Sequence, residues 1–594
     1  MSTLTALPLL AAPLLFAPIQ ESAASRHDFV QKPPTGCLAY AEWRRPQDTL
    51  AIVEEHEVLA PLLGEFARQA LGEEAELAAL VDALSVEGEA TSTTLARVCG
   101  DGVSAWLAFE QFEPVVCFAL PADDEAEGET RRGALLRAIE QVAGVPTGAL
   151  DGAAETVGDA LVWDFDGELC VVGKGRMTYL SNSRRALDAV VEPRRLVRGR
   201  RALERLETAH AARSDGSNLY AWVDMGAISA LAGLAGGALG DEGPGALLAQ
   251  LQELPRDPQA QSLLGPGIAN LARGRSWSLT LEVAPATLSV ELASDGVEGL
   301  GGLEPHGPAP RPRANAADLG HALVHRDLAT MLREREALFD APKLADIAMT
   351  VSQLELFLGG LTLADDVLPA VSPWIEVIAR EVPFESAPRP DLRLPAAAFV
   401  LDVSNDPEIG AYLDAAFQSL VAVTSVGLAE QGQPPLRLAL GRDDDHTWTA
   451  AHYPPPAEGA PVDALYNFAP AAAQVGEHWI VATHEELLVQ LLDELPARTT
   501  AAPTGTERDA RTERLVVDGP ALAAMVAPQL DALALMQALE DGVPREEAYE
   551  DLLGLVWLLE RTSATAEVRY ADEAVVLGID LDFVRAAAPT TGDE

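Results

Sequence analysis

The feature that most constrains the fold is an order of predicted elements that occurs twice along the chain. Apolar and polar residues alternate over residues 277–283 and 287–292, and again over 565–570 and 575–583, with a short turn inside each pair. A period of two is typical of a strand with one buried face, and two such strands around a short turn predict an antiparallel hairpin. We therefore expect each half of the chain to end in a β-hairpin.

Each hairpin follows a strand that ends in aspartate and leads into a helix. Residues 220–224 and 515–518 have strand-like composition, end in Asp224 and Asp518, and precede apolar helical patterns. An aspartate at that position accepts hydrogen bonds from the first free N–H groups of the helix and complements its positive end. Helix capping is therefore the role predicted for both aspartates.

Segments further upstream extend the correspondence between the halves. A glycine turn enters a strand at residues 157–163 and again at 475–481, and a short apolar strand leads into a helix at 37–42 and again at 321–325. Similar elements in the same order indicate tandem duplication. The predicted class is α+β: two tandem, similar halves, each a mainly antiparallel sheet packed with helices and ending in a β-hairpin.

The predicted boundaries follow from this organisation. Residues 1–25 form a signal peptide, residues 35–300 the first α+β half and residues 319–588 the second. The connection, residues 301–318, contains four prolines and is expected to be a semi-extended linker. Residues 589–594 form a flexible tail.

The first 25 residues have the layout of a secretory signal. No charged side chain occurs from Met1 to Gln20, the run is rich in Leu, Ala and Pro, and small residues follow at 22–25. An apolar stretch followed by a small-residue cleavage site is typical of signal peptides, although basic residues usually precede it. The predicted location is the periplasm, the cell envelope or the medium.

Charge excludes several classes of partner. Asp and Glu number 91 against 42 Lys and Arg, which gives a formal net charge of −49. Binding to nucleic acid depends on cationic side chains that neutralise phosphates, so no nucleic-acid partner is expected. No integral membrane span is predicted in the mature chain, because the longest uncharged candidate, residues 225–240, is rich in Gly and Ala.

One arginine-rich segment opposes this acidity. It contains Arg194, Arg195, Arg198, Arg200 and Arg201, which are the candidate residues for anion docking. Such a cluster fits an anionic polymer, a phosphate group or an acidic protein surface. The alternative is a solvated stretch between two helices, which is the usual meaning of a run of charges. A protein or an anionic polymer is therefore kept as a partner, and neither is specified.

Histidine and cysteine supply few candidates for metal chemistry. His321 and His325 are four residues apart and would share one side of a helix, where they could bind a divalent ion; the alternative is that both lie on a strand. No third ligand is evident, so no metal and no cofactor is predicted. The cysteines form either disulfides or small buried hydrophobic residues. They are Cys37, Cys99, Cys117 and Cys170.

Three phrases of the sequence resemble a family of exported bacterial proteins. They are the strand–Asp–helix run at 220–231, the acidic run at 361–369 and the strand that leads into a leucine-rich helix at 476–492. They are similar to uncharacterised exported bacterial proteins carrying a domain of unknown function. The resemblance implies an extracytoplasmic α+β protein and supplies neither an activity nor functional residues.

Two classes of function follow. The absence of a complete catalytic motif favours an exported non-enzymatic binding or scaffold protein of the cell envelope, with no catalytic residue. The alternative is an extracytoplasmic hydrolase whose site is assembled from distant residues, with Ser104, His446 or His478 and an aspartate as its parts. Nucleophile, base and orienting group need only meet in space, so sequence leaves both open.

Overall fold

The computed structural model describes most of residues 37–584. Both termini beyond that range lie outside the described part of the chain. So do the segments 62–101, 192–205, 207–216, 229–256, 298–302, 311–314, 457–461 and 499–511, together with some single residues and short turns.

The chain forms two compact units. Unit 1 comprises Met1–Gly245 and Gly274–Gly296, and unit 2 comprises Ala246–Arg273 and Val297–Glu594. Both contain antiparallel strands together with helices, so the predicted α+β class is confirmed.

Unit 1 contains ten described strands in one antiparallel sheet. They are β1 Ala39–Arg44, β2 Gly102–Glu110, β3 Glu113–Pro121, β4 Glu155–Val157, β5 Ala160–Phe165, β6 Leu169–Lys174, β7 Met177–Ser181, β8 Leu219–Asp224, β9 Ser276–Ala284 and β10 Thr287–Asp295. Their pairing order is β4-β5-β6-β7-β3-β2-β1-β8-β9-β10. The described helices are α1 Pro46–Glu55, α2 Glu125–Ala143 and α3 Arg184–Val191.

Unit 2 also contains ten described strands in antiparallel pairs. They are β11 Gly320–His325, β12 Trp374–Arg380, β13 Ala396–Asp402, β14 Arg437–Arg442, β15 Thr447–His452, β16 Ala471–Val475, β17 His478–Ala482, β18 Thr512–Val517, β19 Thr562–Ala571 and β20 Ala574–Phe583. Their pairing order is β14-β15-β16-β17-β13-β12-β11-β18-β19-β20.

Helices of unit 2 follow the strands in several places. They are α4 Pro258–Leu263, α5 Gly265–Asn270, α6 Leu328–Arg333, α7 Arg335–Leu338, α8 Ala341–Glu355, α9 Leu368–Ala370, α10 Ile409–Glu430, α11 Glu485–Arg498, α12 Gly519–Val526, α13 Leu530–Asp541 and α14 Arg545–Leu559. A π-helical turn, Leu363–Val367, leads into α9.

Helices cover both faces of each sheet. In unit 2, Trp479 of β17 packs with α10, and its neighbour Ile480 packs with α11. In unit 1, Val171 of β6 packs with α2, and Cys170 packs with α3. Successive strand residues point to opposite faces, so a strand covered on both sides is a continuous apolar run rather than an alternating one.

The two terminal hairpins and both aspartate caps are confirmed. β9 pairs with β10, and β19 pairs with β20, each antiparallel. The N–H of Ala227 donates to Asp224 Oδ1 at 3.0 Å, and the N–H of Ala521 donates to Asp518 Oδ1 at 2.9 Å. Both aspartates therefore satisfy helix N–H groups that have no partner within the helix.

The proline-rich connection has a buried anchor. Leu303, inside residues 301–318, is 4% exposed and packs with Met331 and Phe339 of unit 2. At the end of the same segment, Asp318 accepts a hydrogen bond from Arg380 Nε at 2.5 Å. These described parts of the connection therefore pack into unit 2.

Candidate docking surface

The two candidate metal ligands lie on a strand and do not converge. His321 and His325 both belong to the buried face of β11. His321 Nε2 lies 2.7 Å from Glu376 Oε1, whereas the His325 ring packs edge-on against Trp374 with centroids 5.0 Å apart. Four strand residues span about 13 Å, which is too far for one ion to bind both rings.

His325 is held in its neutral form. Burial lowers the pKa of His325 to about 4, more than Asp327 raises it. The ring contacts the carbonyl of Leu303, so this histidine ties the connection to β11. Its position indicates a structural role.

The residues of the alternative hydrolase site lie in different units. Ser104 is buried in unit 1, where its Oγ lies 3.4 Å from the hydroxyl of Tyr40. His446 belongs to the turn between β14 and β15, and His478 begins β17, both in unit 2. A hydrolytic site built from these residues stays a prediction with no geometry to support it.

One group of possible metal ligands occurs at the surface. Ligand atoms of Asp443, His446 and Asp493 lie within 4.8 Å of one another. Asp443 Oδ1 already accepts the backbone N–H groups of Asp445 at 2.8 Å and His446 at 2.5 Å, which shapes the turn. The nearby His452 pairs instead with Glu485, at 3.2 Å. These contacts describe an acidic turn, and no ion is assigned to it.

The cysteines of unit 1 that the structure describes are buried thiols. They are Cys37, Cys117 and Cys170. Cys117 and Cys170 lie on either side of Ser181 in adjacent strand pairs, so about 10 Å separates their backbones and they cannot be bridged. Burial raises the pKa of Cys37 to about 12. Cys99 and the candidate anion-docking residues, Arg194, Arg195, Arg198, Arg200 and Arg201, lie outside the described residues.

A cavity beside α2 is too small for a substrate. Its lining includes Leu120, Arg131 and Arg132, and its volume is about 10 Å³. That is about the space of one water molecule. Its size is therefore that of a packing defect rather than a ligand site.

One surface of unit 2 with exposed apolar side chains is the solvent-facing side of α10. Between Ile409 and Glu430 the only charged side chain is Asp414. Trp479 Nε1 donates to Asp414 at 2.8 Å, and burial raises the pKa of this carboxyl. The exposed side of α10 is therefore uncharged over about five turns, with Gln418 and Thr424 as its exposed polar residues. Its large exposed side chains are Tyr412, Leu420, Val423 and Val426, between 45% and 60% exposed.

Strand β14 continues this surface. Leu438 and Leu440 lie opposite Ala451 and Thr449 of β15, on the face of the sheet that α10 covers. Leu440 is 78% exposed. We call the set Tyr412, Leu420, Val423, Val426, Leu438 and Leu440 the α10–β14 surface.

Two hydrogen bonds fix how the helix lies along the strand. Gln418 Nε2 donates to Thr449 Oγ1 at 3.1 Å, beside Leu440, and Ser425 Oγ donates to the carbonyl of Leu436 at 2.9 Å. Residues 418–425 therefore run alongside 436–440 in the opposite direction. Gln418 and Ser425 therefore lie where the helix meets the strand.

Among the described residues, two segments are long and apolar enough to cross a membrane by length and composition alone. They are residues Ile409–Glu430, 22% buried over the tested window, and Gly519–Asp541, 28% buried. The first is α10, whose other side packs on the sheet through Phe417 and Val421. The second is two helices, α12 and α13, separated by a 3₁₀ turn at Ala527–Gln529.

Sequence reasoning missed the α10–β14 surface. The available signal was the uncharged run at 415–429, which has apolar residues on every side of the helix. A surface helix usually carries charges on one side, so their absence marks a helix that is covered on both sides. Comparison of the chain with known protein families, with curated proteins and with solved structures gives no match.

Proposed function

We propose that the protein is an exported, non-enzymatic binding or scaffold protein of the cell envelope that holds a protein partner on the α10–β14 surface. The observation that carries this proposal is the exposed, uncharged side of α10. Single exposed apolar residues are ordinary, but a continuous apolar surface is typical of an interaction site. Burying one Leu or Val side chain contributes about 1.5–3 kcal/mol, so a few of them suffice for a specific interface.

A protein fits this surface better than a lipid bilayer. Helices that bind membranes in their plane carry Lys and Arg on the polar side, and α10 has neither. The chain has a net charge of −49, which anionic lipid repels. The neighbouring β14 also offers backbone hydrogen-bonding groups, which a protein can satisfy and hydrocarbon cannot.

We further propose that the two halves are copies of one ancestral unit. The support is the pairing order, which is the same in both halves when each strand of unit 1 is matched to the strand of unit 2 whose number is ten higher. For example, β4 matches β14, β1 matches β11 and β10 matches β20. Both copies place a long helix after the third strand of the half, α2 in one and α10 in the other. Ten strands rarely reach the same order by chance.

The copies differ most where the α10–β14 surface lies. The exposed side of α2 carries charged residues, among them Glu125, Glu129 and Arg137, at the place where α10 has none. The solvent-facing side of α2 thus has the charged residues that are usual for an exposed helix. An exposed helix at this position can carry charged residues, as α2 does. The lack of charge on α10 is therefore explained by a partner that covers it.

Site-specific photo-crosslinking tests the binding function. A photoreactive residue replaces Val423 on α10, and the matched control carries it at Glu129 on α2. In cells that produce the protein, we expect one discrete protein adduct from position 423, lost in the additional variant Leu420→Glu, and none from position 129. Equal labelling at both positions, or none at 423, would contradict the proposal.

Export is a separate part of the proposal and rests on residues 1–25, which lie outside the described residues. N-terminal sequencing of the protein recovered from its native cells tests it. A mature chain that begins near residue 25 is expected. A chain that retains Met1 would refute export and leave the docking function untouched.

A further inference from the structure

We propose that the partner on the α10–β14 surface is a second copy of this chain, joined by antiparallel pairing of β14 with the second copy's β14 about a two-fold axis at Leu440. This inference rests on the function proposed above and names its partner. A two-fold dimer uses the same patch on both copies, so the patch must be complementary to itself. Backbone, side chains and charges of β14 each meet that condition.

The free side of β14 presents backbone groups at alternate residues. The N–H of Asp443 donates to the carbonyl of His446 at 3.1 Å, on the side of β15. Hydrogen bonds in an antiparallel pair recur at every second residue, so Gly441 and Ala439 also face β15. The backbones of Leu438, Leu440 and Arg442 therefore point away from β15, and no strand in the described part of the chain pairs with them.

The centre of this edge carries none of the usual protections against pairing. Outermost strands are commonly short, charged, proline-bearing or bulged. β4, at the corresponding place in unit 1, is three residues long and begins with Glu155. β14 is six residues long and regular, with Arg437 and Arg442 at its ends and Leu438, Ala439 and Leu440 at its centre. An outermost strand with an exposed apolar centre is typical of a strand that is paired in the functional form of the protein.

Charge selects the position of the two-fold axis. An axis at Leu440 sets Leu440 opposite its own copy and Leu438 opposite the second copy's Arg442, so that all outward-pointing backbone groups pair. It also sets Arg437 opposite the second copy's Asp443, an ion pair that occurs twice by symmetry. Within the described part of the chain, the side chain of Arg437 has no ion pair or hydrogen bond, although acidic residues are abundant.

Helix α10 extends the same contact. It lies on the face of the sheet that carries Leu438 and Leu440, and its residues 418–425 run beside β14. Pairing of the two β14 strands thus brings a second α10 towards the first. Ala422 and Val426 are exposed and follow Gln418 at four-residue intervals, so they lie nearest that side of α10 and would have an apolar partner of the same kind.

Analytical ultracentrifugation of the full chain tests the inference. We expect a species of twice the monomer mass. Leu440→Lys sets two like charges across the axis and should raise the dissociation constant roughly 30-fold or more, as loss of a central contact does. The matched control, Thr156→Lys on the exposed β4, should leave the dimer unchanged. Both positions are exposed, so both variants should fold and give the circular dichroism spectrum of the unsubstituted protein.

The position of the axis is tested by disulfide capture. Paired residues of this type lie about 5.5 Å apart between Cα atoms, within reach of a disulfide. Leu440→Cys should therefore cross-link into a covalent dimer under mild oxidation, and Thr156→Cys should not. A dimer that Leu440→Lys leaves intact, or a Leu440→Cys variant that stays monomeric, would overturn the proposal.

The remaining outcomes separate this inference from the function it rests on. A monomeric chain that still forms an adduct with a different protein at position 423 overturns self-pairing and leaves the docking function standing. A monomeric chain without an adduct overturns both. Flotation of the protein with neutral phosphatidylcholine vesicles, abolished by Val423→Glu, also overturns both, because the surface would then bind lipid.

Discussion

A buried polar network in unit 2 gives the sharpest test of how the fold is held. Arg326 Nη1 lies 2.6 Å from Glu513 Oε2, and the hydroxyl of Tyr570 donates to Glu513 Oε1 at 2.5 Å. The side chains of Arg326 and Glu513 are 8% and 5% exposed. Burial raises the pKa of Tyr570 well above its usual range, so the phenol stays protonated as a donor.

The network holds residues 258–273 on the sheet of unit 2. Arg326 also donates to the carbonyls of Ser262 at 2.7 Å and Leu263 at 2.9 Å, and the N–H of Gly267 donates to Tyr570 at 3.2 Å. Glu513 neutralises the only cation in this group. Its removal leaves a buried guanidinium whose charge nothing balances.

We predict that Glu513→Ala destabilises unit 2 by about 4 kcal/mol. Removing one partner of a buried ion pair costs about 3–5 kcal/mol, and the backbone carbonyls around Arg326 reduce that cost while the unpartnered Tyr570 hydroxyl adds to it. Glu513→Gln keeps the acceptor and the shape and loses the charge, so a loss of about half that size is expected. Hydrogen exchange of residues 258–273 and the urea midpoint of unit 2 measure both variants.

A change of about 4 kcal/mol corresponds to roughly 1000-fold faster exchange through opening of that segment. Exchange in unit 1 serves as the internal control, because the variant touches none of its residues. Protection of 258–273 that stays the same, together with a loss below about 1 kcal/mol, would show that apolar packing and not this network holds the segment.

Three further predictions concern stability. Burial lowers the pKa of His325 to about 4 from its ordinary value of about 6.5, so the unfolded chain binds this proton first and the free energy of unfolding falls by about 3 kcal/mol as the pH drops from 6.5 to 4. His325→Phe should flatten that part of the urea-derived profile, and an unchanged slope would contradict the assignment. Asp518→Ala removes the cap of α12 and should cost about 1 kcal/mol, with Asp518→Asn nearly neutral; equal melting temperatures would refute the capping role. Gly519→Ala would set a methyl group 1.7 Å from the carbonyl of Thr562 and should lower stability by about 2 kcal/mol or more, whereas Gly554→Ala, in open space on α14, should raise it by about 0.5–1 kcal/mol.

One sequence match between the halves does not agree with the order in which their strands pair. Residues 157–163 match 475–481 in sequence, yet pairing order sets the β6–β7 turn, and not the β4–β5 turn, at the place of the β16–β17 turn. Each of these two-residue turns begins with a glycine at positive φ: Gly158 at 63°, Gly175 at 53° and Gly476 at 57°. A glycine at the first position suits a tight hairpin turn, so these three turns have similar sequences whichever strands they join. The sequence match thus joins turns that occupy different places in the two pairing orders.

Less of the candidate site than of the fold could be predicted from the sequence. His321 and His325 drew attention because four residues separate them, which is close on a helix and distant on a strand. The apolar side of α10 was not predicted as a site, because a sequence of leucines and valines does not show which of them the sheet buries. Only the contacts of Phe417 and Val421 with the sheet show which residues are left exposed.

The sequence by itself determined the α+β class, the terminal hairpins and the caps at Asp224 and Asp518. These features depend on periodicity and hydrogen bonds within about ten residues, so local composition suffices to predict them. The tertiary structure alone decided the order in which strands pair, the burial of His321 and His325, and the exposed apolar side of α10. Those outcomes depend on residues tens to hundreds of positions apart, because burial belongs to a packed set of elements and not to any one of them.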